Sequence, residues 1–297
     1  MANEQMTHQM ATKGGFIAAL DQSGGSTPKA LKQYGIADNA WSNDEEMFAL
    51  IHKMRARIIK SPDFTGEKVI GAILFERTMD GEIDGTPTAD YLWNECGIVP
   101  FLKVDKGLME EDNGVQLMKP MPGLDELLER AVSKNIFGTK MRSVINAANP
   151  QGIADNAAQQ FEVGRQILGH GLMPILEPEI NIKIEDKDEA EKILLAELTK
   201  GLDTLDEGQQ VMLKLSLPTT PNRYKSLMDD TRIMRVVALS GGYSRDEANA
   251  LLAKNDGMIA SFSRALAEGL SDGLSDEEFN ATLSASIDSI HAASTQK

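Results

Sequence analysis

The chain has a single cysteine, Cys96, among 297 residues, so an internal disulfide is excluded. One unpaired thiol is typical of proteins from a reducing compartment. No uninterrupted apolar run approaches the length that a membrane span requires. The first residues, MANEQMTHQMATKGG, are polar and lack the apolar segment of a secretory signal. These absences predict a cytoplasmic protein without a membrane anchor.

Histidine is also scarce, with His8, His52, His170 and His291 as the four in the chain. No two of them stand at the spacing of paired metal ligands, and none ends an apolar run. Zinc-dependent chemistry is therefore not expected. We expect neither a metal nor any other cofactor.

Basic residues are outnumbered, with 30 Lys and Arg against 45 Asp and Glu, for a net charge of −15. This balance argues against nucleic acid or an anionic membrane as a partner. An anionic small molecule can still bind where cations gather locally. Trp41 and Trp93 are candidates for packing between helices or between subunits, so a homo-oligomer is left open.

Short apolar runs alternate with longer amphipathic stretches along the whole chain. The candidate strands are Phe16–Asp21, Val69–Phe75, Ile98–Val104, Ile136–Met141, Leu172–Glu177, Gln210–Leu215, Arg235–Ser240 and Met258–Phe262. The helical patterns include Asp44–Lys60, Leu124–Lys134, Ile153–Gly169, Lys187–Leu202, Arg245–Lys254 and Ser275–Ala293. Strands separated by helices need crossover connections and so form a parallel sheet. Eight of them predict an α/β protein with a single (β/α)8 barrel, the TIM-barrel architecture.

The domain organisation is simple. Hydrophobic residues make up 41% of the chain, enough for a substantial core. No linker, repeat or composition break divides the sequence. We predict an N-terminal arm of residues 1–13 outside the barrel, followed by one catalytic barrel domain of residues 14–297 that includes a C-terminal helix.

Charged residues stand near the ends of five apolar runs, where a barrel places its functional groups. They are Asp21, Lys103, Lys140, Glu177 and Lys214. Alternate residues of a strand share a face, so Arg142 and Glu179 continue the inward positions of their runs. Lys214 lies among Val, Met and Leu, where lost hydration disfavours the charged form and frees an amine to act as a nucleophile.

Two clusters suit phosphate groups. Ser240, Gly241 and Gly242 follow the seventh run, and Ser261 and Arg264 belong to the end of the eighth, where barrels often bind phosphate. Glycines let backbone N–H groups approach an anion, and arginine offers a fork of donors. Ser23 and Ser26 follow the first run, with Lys103 across the mouth. Two cradles beside a lysine predict a substrate phosphorylated at both ends.

At this point the sequence resembles a known family. The segments are Ala18-Ala19-Leu20-Asp21-Gln22-Ser23, Leu102-Lys103-Val104-Asp105-Lys106-Gly107, Phe137-Gly138-Thr139-Lys140-Met141-Arg142, Pro174-Ile175-Leu176-Glu177-Pro178-Glu179, Met212-Leu213-Lys214, Leu239-Ser240-Gly241-Gly242 and Phe262-Ser263-Arg264-Ala265-Leu266. In this order they resemble the class I, Schiff-base fructose-1,6-bisphosphate aldolases of the bacterial branch. The resemblance covers nearly the whole chain. It implies a metal-independent lyase of glycolysis and gluconeogenesis that cleaves fructose 1,6-bisphosphate reversibly to dihydroxyacetone phosphate and glyceraldehyde 3-phosphate.

The resemblance also implies residue roles. Lys214 would form the Schiff base, Glu177 would help to dehydrate the carbinolamine, and Asp21 would accept the C4 hydroxyl proton. Lys140 would support the site electrostatically, with Glu179 as a neighbour of Glu177 in the motif. The C1 phosphate would meet Ser240, Gly241 and Arg264, whereas Ser23, Ser26 and Lys103 would receive the C6 phosphate and Arg142 would meet one of the two.

Two departures from the animal members bear on proton transfer. The chain ends in HAASTQK without the tyrosine that those members use on the enamine, so another group or water is needed. Gln22 stands where they carry glutamate.

Alternatives with other activities stay open at this point. A tagatose-bisphosphate aldolase would share the mechanism, because the two sugars differ in configuration at C4. A barrel phosphosugar isomerase or epimerase would leave Lys214 unexplained, and a non-catalytic phosphosugar-binding protein would leave buried charges without a task.

Overall fold

The computed structural model describes residues 4–296. Its eight main strands are β1 (Phe16–Leu20), β2 (Val69–Leu74), β3 (Val99–Lys103), β4 (Gly138–Ile145), β5 (Met173–Ile180), β6 (Val211–Ser216), β7 (Ile233–Leu239) and β8 (Ile259–Phe262). They are parallel and hydrogen-bonded in the order β3-β2-β1-β8-β7-β6-β5-β4, and β3 pairs with β4 to close the cylinder. The predicted (β/α)8 barrel is confirmed.

The longer helices are α1 (Glu4–Thr12), α2 (Thr27–Gln33), α3 (Asp44–Ile59), α4 (Leu124–Ser133), α5 (Pro150–Gly169), α6 (Lys187–Leu202), α7 (Arg245–Leu252) and α8 (Asp276–Thr295). Shorter helical segments are Glu76–Asp80, Thr88–Asp90, the π-helical turn Tyr91–Glu95, Lys225–Met228 and Arg264–Ala267. Two-residue strands also form, Glu82–Ile83 with Thr86–Pro87 as a hairpin, and Val115–Gln116 at the edge of β4. The interval between β6 and β7 holds only the short helix Lys225–Met228, and the interval between β2 and β3 holds only short segments. Each of the other intervals between consecutive barrel strands holds at least one of the longer helices.

Helix starts follow local chemistry. Ser244 begins α7 and Ser275 begins α8, and each side chain accepts the backbone N–H of a glutamate three residues later. The carboxylates of Glu247 and Glu278 in turn accept the backbone N–H groups of Ser244 and Ser275. These reciprocal bonds satisfy N–H groups that have no partner within the helix.

Two strands extend several residues beyond their predicted ends, and β6 extends one residue beyond Leu215. The sequence placed the fourth strand at Ile136–Met141 and the fifth at Leu172–Glu177, whereas β4 reaches Ile145 and β5 reaches Ile180. Val115–Gln116 pairs antiparallel with the end of β4 and so prolongs it. Ser143 still pairs with Pro178, so the missing N–H of that proline does not end β5.

Inward-facing side chains fill the barrel in layers. They are Ile17, Ala19, Ile70, Ile73, Val99, Phe101, Phe137, Ile175, Met212, Val237 and Ile259. Phe101 and Phe137 meet edge to face with ring centroids 5.4 Å apart. Gly138 makes room for them, because a Cβ there would lie 2.8 Å from the Phe101 ring and 2.2 Å from the Met173 carbonyl oxygen. A second apolar cluster lies between the barrel and its helices.

Helix α1 closes the amino-terminal mouth of the barrel. Its Met6 and Met10 are buried in the same cluster as the barrel interior. Gln9 Nε2 donates to the carbonyl oxygens of Ile70 and Gly97, and Arg235 donates to that of Met10. Residues 4–12 of the predicted N-terminal arm therefore form a helix packed beneath the strands, while residues 1–3 of the arm and Lys297 lie outside the described residues. The division into an arm and a barrel domain stays a prediction.

Across residues 4–296, none of the helices combines the length and apolar character needed to cross a membrane.

Candidate active site

A cavity of about 1000 Å³ opens at the carboxyl ends of the strands. All fourteen residues singled out from the sequence line it: Asp21, Ser23, Ser26, Lys103, Lys140, Arg142, Glu177, Glu179, Lys214, Ser240, Gly241, Gly242, Ser261 and Arg264. They come from seven different strands or the loops that follow them. Because the strands are parallel, their carboxyl ends share one mouth, as in other barrels of this type.

Four charged side chains form the centre of the cavity. Lys140 Nζ lies 2.6 Å from Asp21 Oδ2 and 2.9 Å from Glu177 Oε2. The other oxygen of Glu177, Oε1, lies 3.0 Å from Lys214 Nζ. Both lysines are almost fully buried, with Lys140 3% and Lys214 4% exposed. One carboxylate thus joins the two amines, and groups distant in sequence converge as the pattern predicted.

The charges in this centre stabilise one another. Burial alone would raise the pKa of Asp21, but the cations of Lys140 and Lys214 outweigh burial and hold that pKa below its usual range. Burial would lower the pKa of Lys140, and the carboxylates of Asp21 and Glu177 raise it above its usual range instead. At neutral pH, Asp21 is therefore an ionised base and Lys140 a fixed cation.

Two further ion pairs flank the centre. Arg142 Nε donates to Glu179 Oε2, and burial, which would lower the pKa of Arg142, is outweighed by that carboxylate. On the neighbouring strand, Lys103 Nζ donates to Asp105 Oδ1 at 2.7 Å and to its carbonyl oxygen at 2.8 Å. Asp105 Oδ2 accepts the backbone N–H of Arg142 at 3.1 Å. The two cations are thereby held in place at one side of the mouth.

The opposite side of the mouth is built for an anion. Gly241 and Gly242 have φ values of 61° and 116°, which glycine adopts without strain. A Cβ on Gly241 would lie 2.8 Å from Ile182, so the turn also needs the missing side chain. Arg264 lies beside Gly242, and its guanidinium has no carboxylate partner within residues 4–296. The Ser261 hydroxyl is buried in this region and has no hydrogen-bond partner among residues 4–296. Backbone donors, a hydroxyl and a free cation suit a phosphate.

The segment after β1 forms a compact turn. Ser26 Oγ accepts the backbone N–H of Ser23 at 3.0 Å, and Ser26 N donates back to the Ser23 carbonyl oxygen at 2.8 Å. Just before this turn, Gln22 Nε2 donates to Ser263 Oγ at 2.7 Å. The turn is therefore tied to the end of β8, next to Arg264.

Sequence reasoning missed two residues that organise the site. Asp105 lies two residues after Lys103 and therefore on the same face of the strand. The pattern of apolar runs already contained this signal. Arg55 interrupts the buried stripe of α3 between Ile51 and Ile58, yet it is 1% exposed and contacts Gln22. A charged residue on an apolar helix stripe was the available indication.

Comparison with known proteins agrees with this geometry. A family model described as fructose-bisphosphate aldolase class-I matches residues 3–220. The chain is 60% identical over 292 residues to a fructose-bisphosphate aldolase class 1 from Clostridium acetobutylicum. The aligned region covers 98% of this chain and 99% of that relative. The chain belongs to the class-I fructose-bisphosphate aldolase family. The predicted family and the predicted lyase class are thus confirmed.

Solved structures support the fold of this aldolase. A fructose-bisphosphate aldolase from Plasmodium falciparum superimposes with a TM-score of 0.77 at 23% identity, over 98% of this chain and 94% of the other. The protein Cgl0159 from Corynebacterium glutamicum gives 0.54 at 12% identity, over 98% and 92%. Within residues 4–296 of the aldolase, no group of three His, Cys, Asp or Glu side chains is placed to hold a metal ion.

Proposed function

We propose that the chain cleaves fructose 1,6-bisphosphate to dihydroxyacetone phosphate and glyceraldehyde 3-phosphate through an imine on Lys214. The observation that carries this proposal is the placement of Glu177, which lies 3.0 Å from the Lys214 amine and 2.9 Å from the Lys140 amine inside a cavity with anion-binding groups on both sides. One buried carboxylate in this position can manage the protons of imine formation.

Imine formation begins with the pair of Lys214 and Glu177. A proton passed from the amine to the carboxylate leaves a neutral nucleophile, which attacks the C2 ketone of the open-chain sugar. Nitrogen loses a proton and the former ketone oxygen gains one, which gives a carbinolamine. Glu177 then returns its proton to the departing hydroxyl, so that water leaves and a protonated imine remains.

Bond cleavage uses Asp21 as the base. Its carboxylate takes the proton of the C4 hydroxyl while the C3–C4 electron pair moves into the iminium, which becomes a neutral enamine. The C4 aldehyde departs as glyceraldehyde 3-phosphate. Protonation of the enamine at C3 and hydrolysis of the imine release dihydroxyacetone phosphate and restore Lys214.

Lys140 stabilises the charged groups that these reaction steps use. Its raised pKa makes it a permanent cation between Asp21 and Glu177, so it holds Asp21 ionised and ready to accept a proton.

The phosphates fix the sugar at both ends. We assign the C1 phosphate to Ser240, Gly241, Gly242, Ser261 and Arg264, and the C6 phosphate to Ser23, Ser26, Lys103 and Arg142. Glu179 orients Arg142 through their ion pair. Two anchored phosphates would present C2 to Lys214 and the C4 hydroxyl to Asp21, which converts binding energy into orientation.

The decisive experiment is chemical trapping. Borohydride added with dihydroxyacetone phosphate should reduce the imine and label Lys214, as mapped by peptide mass spectrometry. A label on Lys140 or Lys103 would overturn the assignment.

Cleavage should persist in a strong chelator, and a loss of activity that zinc restores would oppose imine chemistry. Rates on fructose and tagatose bisphosphates, measured side by side, should favour the fructose ester.

The setting of the enzyme is part of the proposal. The free thiol of Cys96, whose pKa burial raises to about 11, supports a reducing cytoplasm. We also propose phosphosugars as its small-molecule ligands, an arm of residues 1–13 attached to a barrel domain of residues 14–297, and assembly as a homo-oligomer. Fractionation of cells and sedimentation of the purified protein test these points.

A further inference from the structure

Arg55 is a fully buried arginine immediately behind the active site. It stands on α3, is 1% exposed, and forms no ion pair with a carboxylate of the described chain. Its pKa is lowered to about 10 by burial, which the field of Asp21 partly opposes. It is therefore charged at neutral pH. A buried cation without a carboxylate partner is costly, and the hydrogen bonds that this one donates all go to neutral oxygens.

Its donors converge on the residue that follows Asp21. Nη2 of Arg55 donates to the carbonyl oxygen of Gln22 at 2.6 Å and to its side-chain Oε1 at 3.0 Å. Nη1 donates to Thr78 Oγ1 at 2.7 Å, on the short helix that follows β2. The guanidinium thus ties the carboxyl end of β1 to two neighbouring elements.

The bond also orients Gln22. A guanidinium has donors and no acceptor, so the oxygen of the Gln22 amide must face Arg55. The nitrogen of that amide then faces Ser263 Oγ and donates to it at 2.7 Å. In this way one buried arginine determines how the end of β1 meets the end of β8.

From this geometry we propose that Arg55 is a positioning residue for Asp21. It fixes the backbone and side chain of Gln22 so that the Asp21 carboxylate stays where the C4 hydroxyl proton is transferred. The effect is one of placement, since Lys140 and Lys214 already dominate the charge around Asp21. The inference rests on the proposed cleavage reaction and deepens it.

The test separates the two half-reactions. In Arg55→Met, kcat for cleavage of fructose 1,6-bisphosphate should fall about 10- to 100-fold, because a misplaced catalytic group costs about that much. Borohydride trapping of dihydroxyacetone phosphate on Lys214 should stay within about twofold of the wild type, since that step does not use Asp21. Arg55→Lys keeps the positive charge and can still donate to one of the two residues that the guanidinium contacts. We therefore expect its kcat to lie between those of Arg55→Met and the wild type.

Arg235 provides a matched control. It is a partly buried arginine that also donates to a main-chain carbonyl oxygen, that of Met10, but at the opposite end of the barrel. Arg235→Met should lower the thermal midpoint and leave the ratio of cleavage to trapping unchanged.

Three results would overturn the inference: wild-type kcat in Arg55→Met, equal loss of cleavage and trapping, or the same change of ratio in Arg235→Met. If Arg55→Met does not fold, Thr78→Val carries the test, because it removes one acceptor of Arg55 without touching the cavity. It should lower kcat about 3- to 10-fold with trapping intact, and an unchanged kcat would refute the role. Failure of the wild-type protein itself to cleave or to be trapped would instead refute the proposed function.

Discussion

Replacing Lys140 with methionine tests the electrostatic centre of the enzyme. Methionine fills nearly the same space as lysine and carries no charge, so the change removes one cation from a buried group of four charged side chains. In the wild type, this cation lies 2.6 Å from Asp21 and 2.9 Å from Glu177. Because the methionine side chain is of similar size, we expect both carboxylates to stay buried in the variant.

The cost follows from burial. Removing one partner of a buried ion pair leaves an uncompensated charge and destabilises a protein by about 3–5 kcal/mol. Here one lysine serves two carboxylates, so we expect at least the lower end of that range at neutral pH. Part of the cost can be relieved, because Asp21 loses the strongest of the cations that lower its pKa and burial then raises that pKa relative to the wild type.

The sign of the pH dependence is specific. In the wild type the folded pKa of Asp21 lies below its unfolded value, so its stabilising contribution is present above about pH 4 and is lost as pH falls through the folded pKa. In Lys140→Met the folded pKa is higher, and Asp21 binds a proton at a pH where the wild-type carboxylate stays ionised. The difference in stability between the two proteins should therefore shrink as pH falls, by at most about 1.4 kcal/mol per pH unit.

The assay is urea unfolding of both proteins near neutral pH and at about pH 5, followed by tryptophan fluorescence. The control is Lys106→Met, which breaks a pair between half-exposed Lys106 and Glu76 and should cost less than about 1 kcal/mol at either pH. A Lys140→Met deficit under about 1 kcal/mol, or one that grows as pH falls, would refute the reasoning. The cleavage rate should fall in parallel and gain a new acid limb.

Two further predictions follow from the mouth and the floor of the cavity. Arg264→Ala removes the cation beside Gly242, so it should raise KM for fructose 1,6-bisphosphate about tenfold or more. Imine trapping at saturating dihydroxyacetone phosphate should persist. An unchanged KM in steady-state assays would contradict the assignment of this phosphate site. Gly138→Ala puts a methyl group against Phe101 and the Met173 carbonyl, so thermal unfolding should show a loss of about 1–3 kcal/mol or more. Gly169→Ala, where a Cβ meets open space, is its control, and equal effects would discount the packing argument.

Much of the site could be predicted because alternate residues of a barrel strand point to the interior. Met212 and Lys214 share a face of β6, as do Ile175 and Glu177 on β5, so an apolar interior position followed by a charge identifies the functional end of a strand. The sequence therefore predicted the eight strands, their order along the chain and the side chains that meet.

What the sequence did not reveal depends on partners far along the chain. The end of β4 depends on Val115–Gln116, a two-residue strand too short to carry a periodic signal. The role of Arg55 depends on Gln22 and Thr78, which lie on other elements, and a single arginine on a helix stripe does not identify them. The hydrogen bonds of Asp105 likewise need the register between β3 and β4.

Helix α1 has a consequence for how the protein is handled. Met6 and Met10 close the amino-terminal end of the barrel and belong to the same buried cluster as the aromatic pair Phe101 and Phe137. A chain shortened past Thr12 would let water reach those rings from underneath and weaken the dry surroundings that the lysines above them require. Residues 4–12, although remote from the reacting groups, therefore help to exclude water from the barrel below the active site.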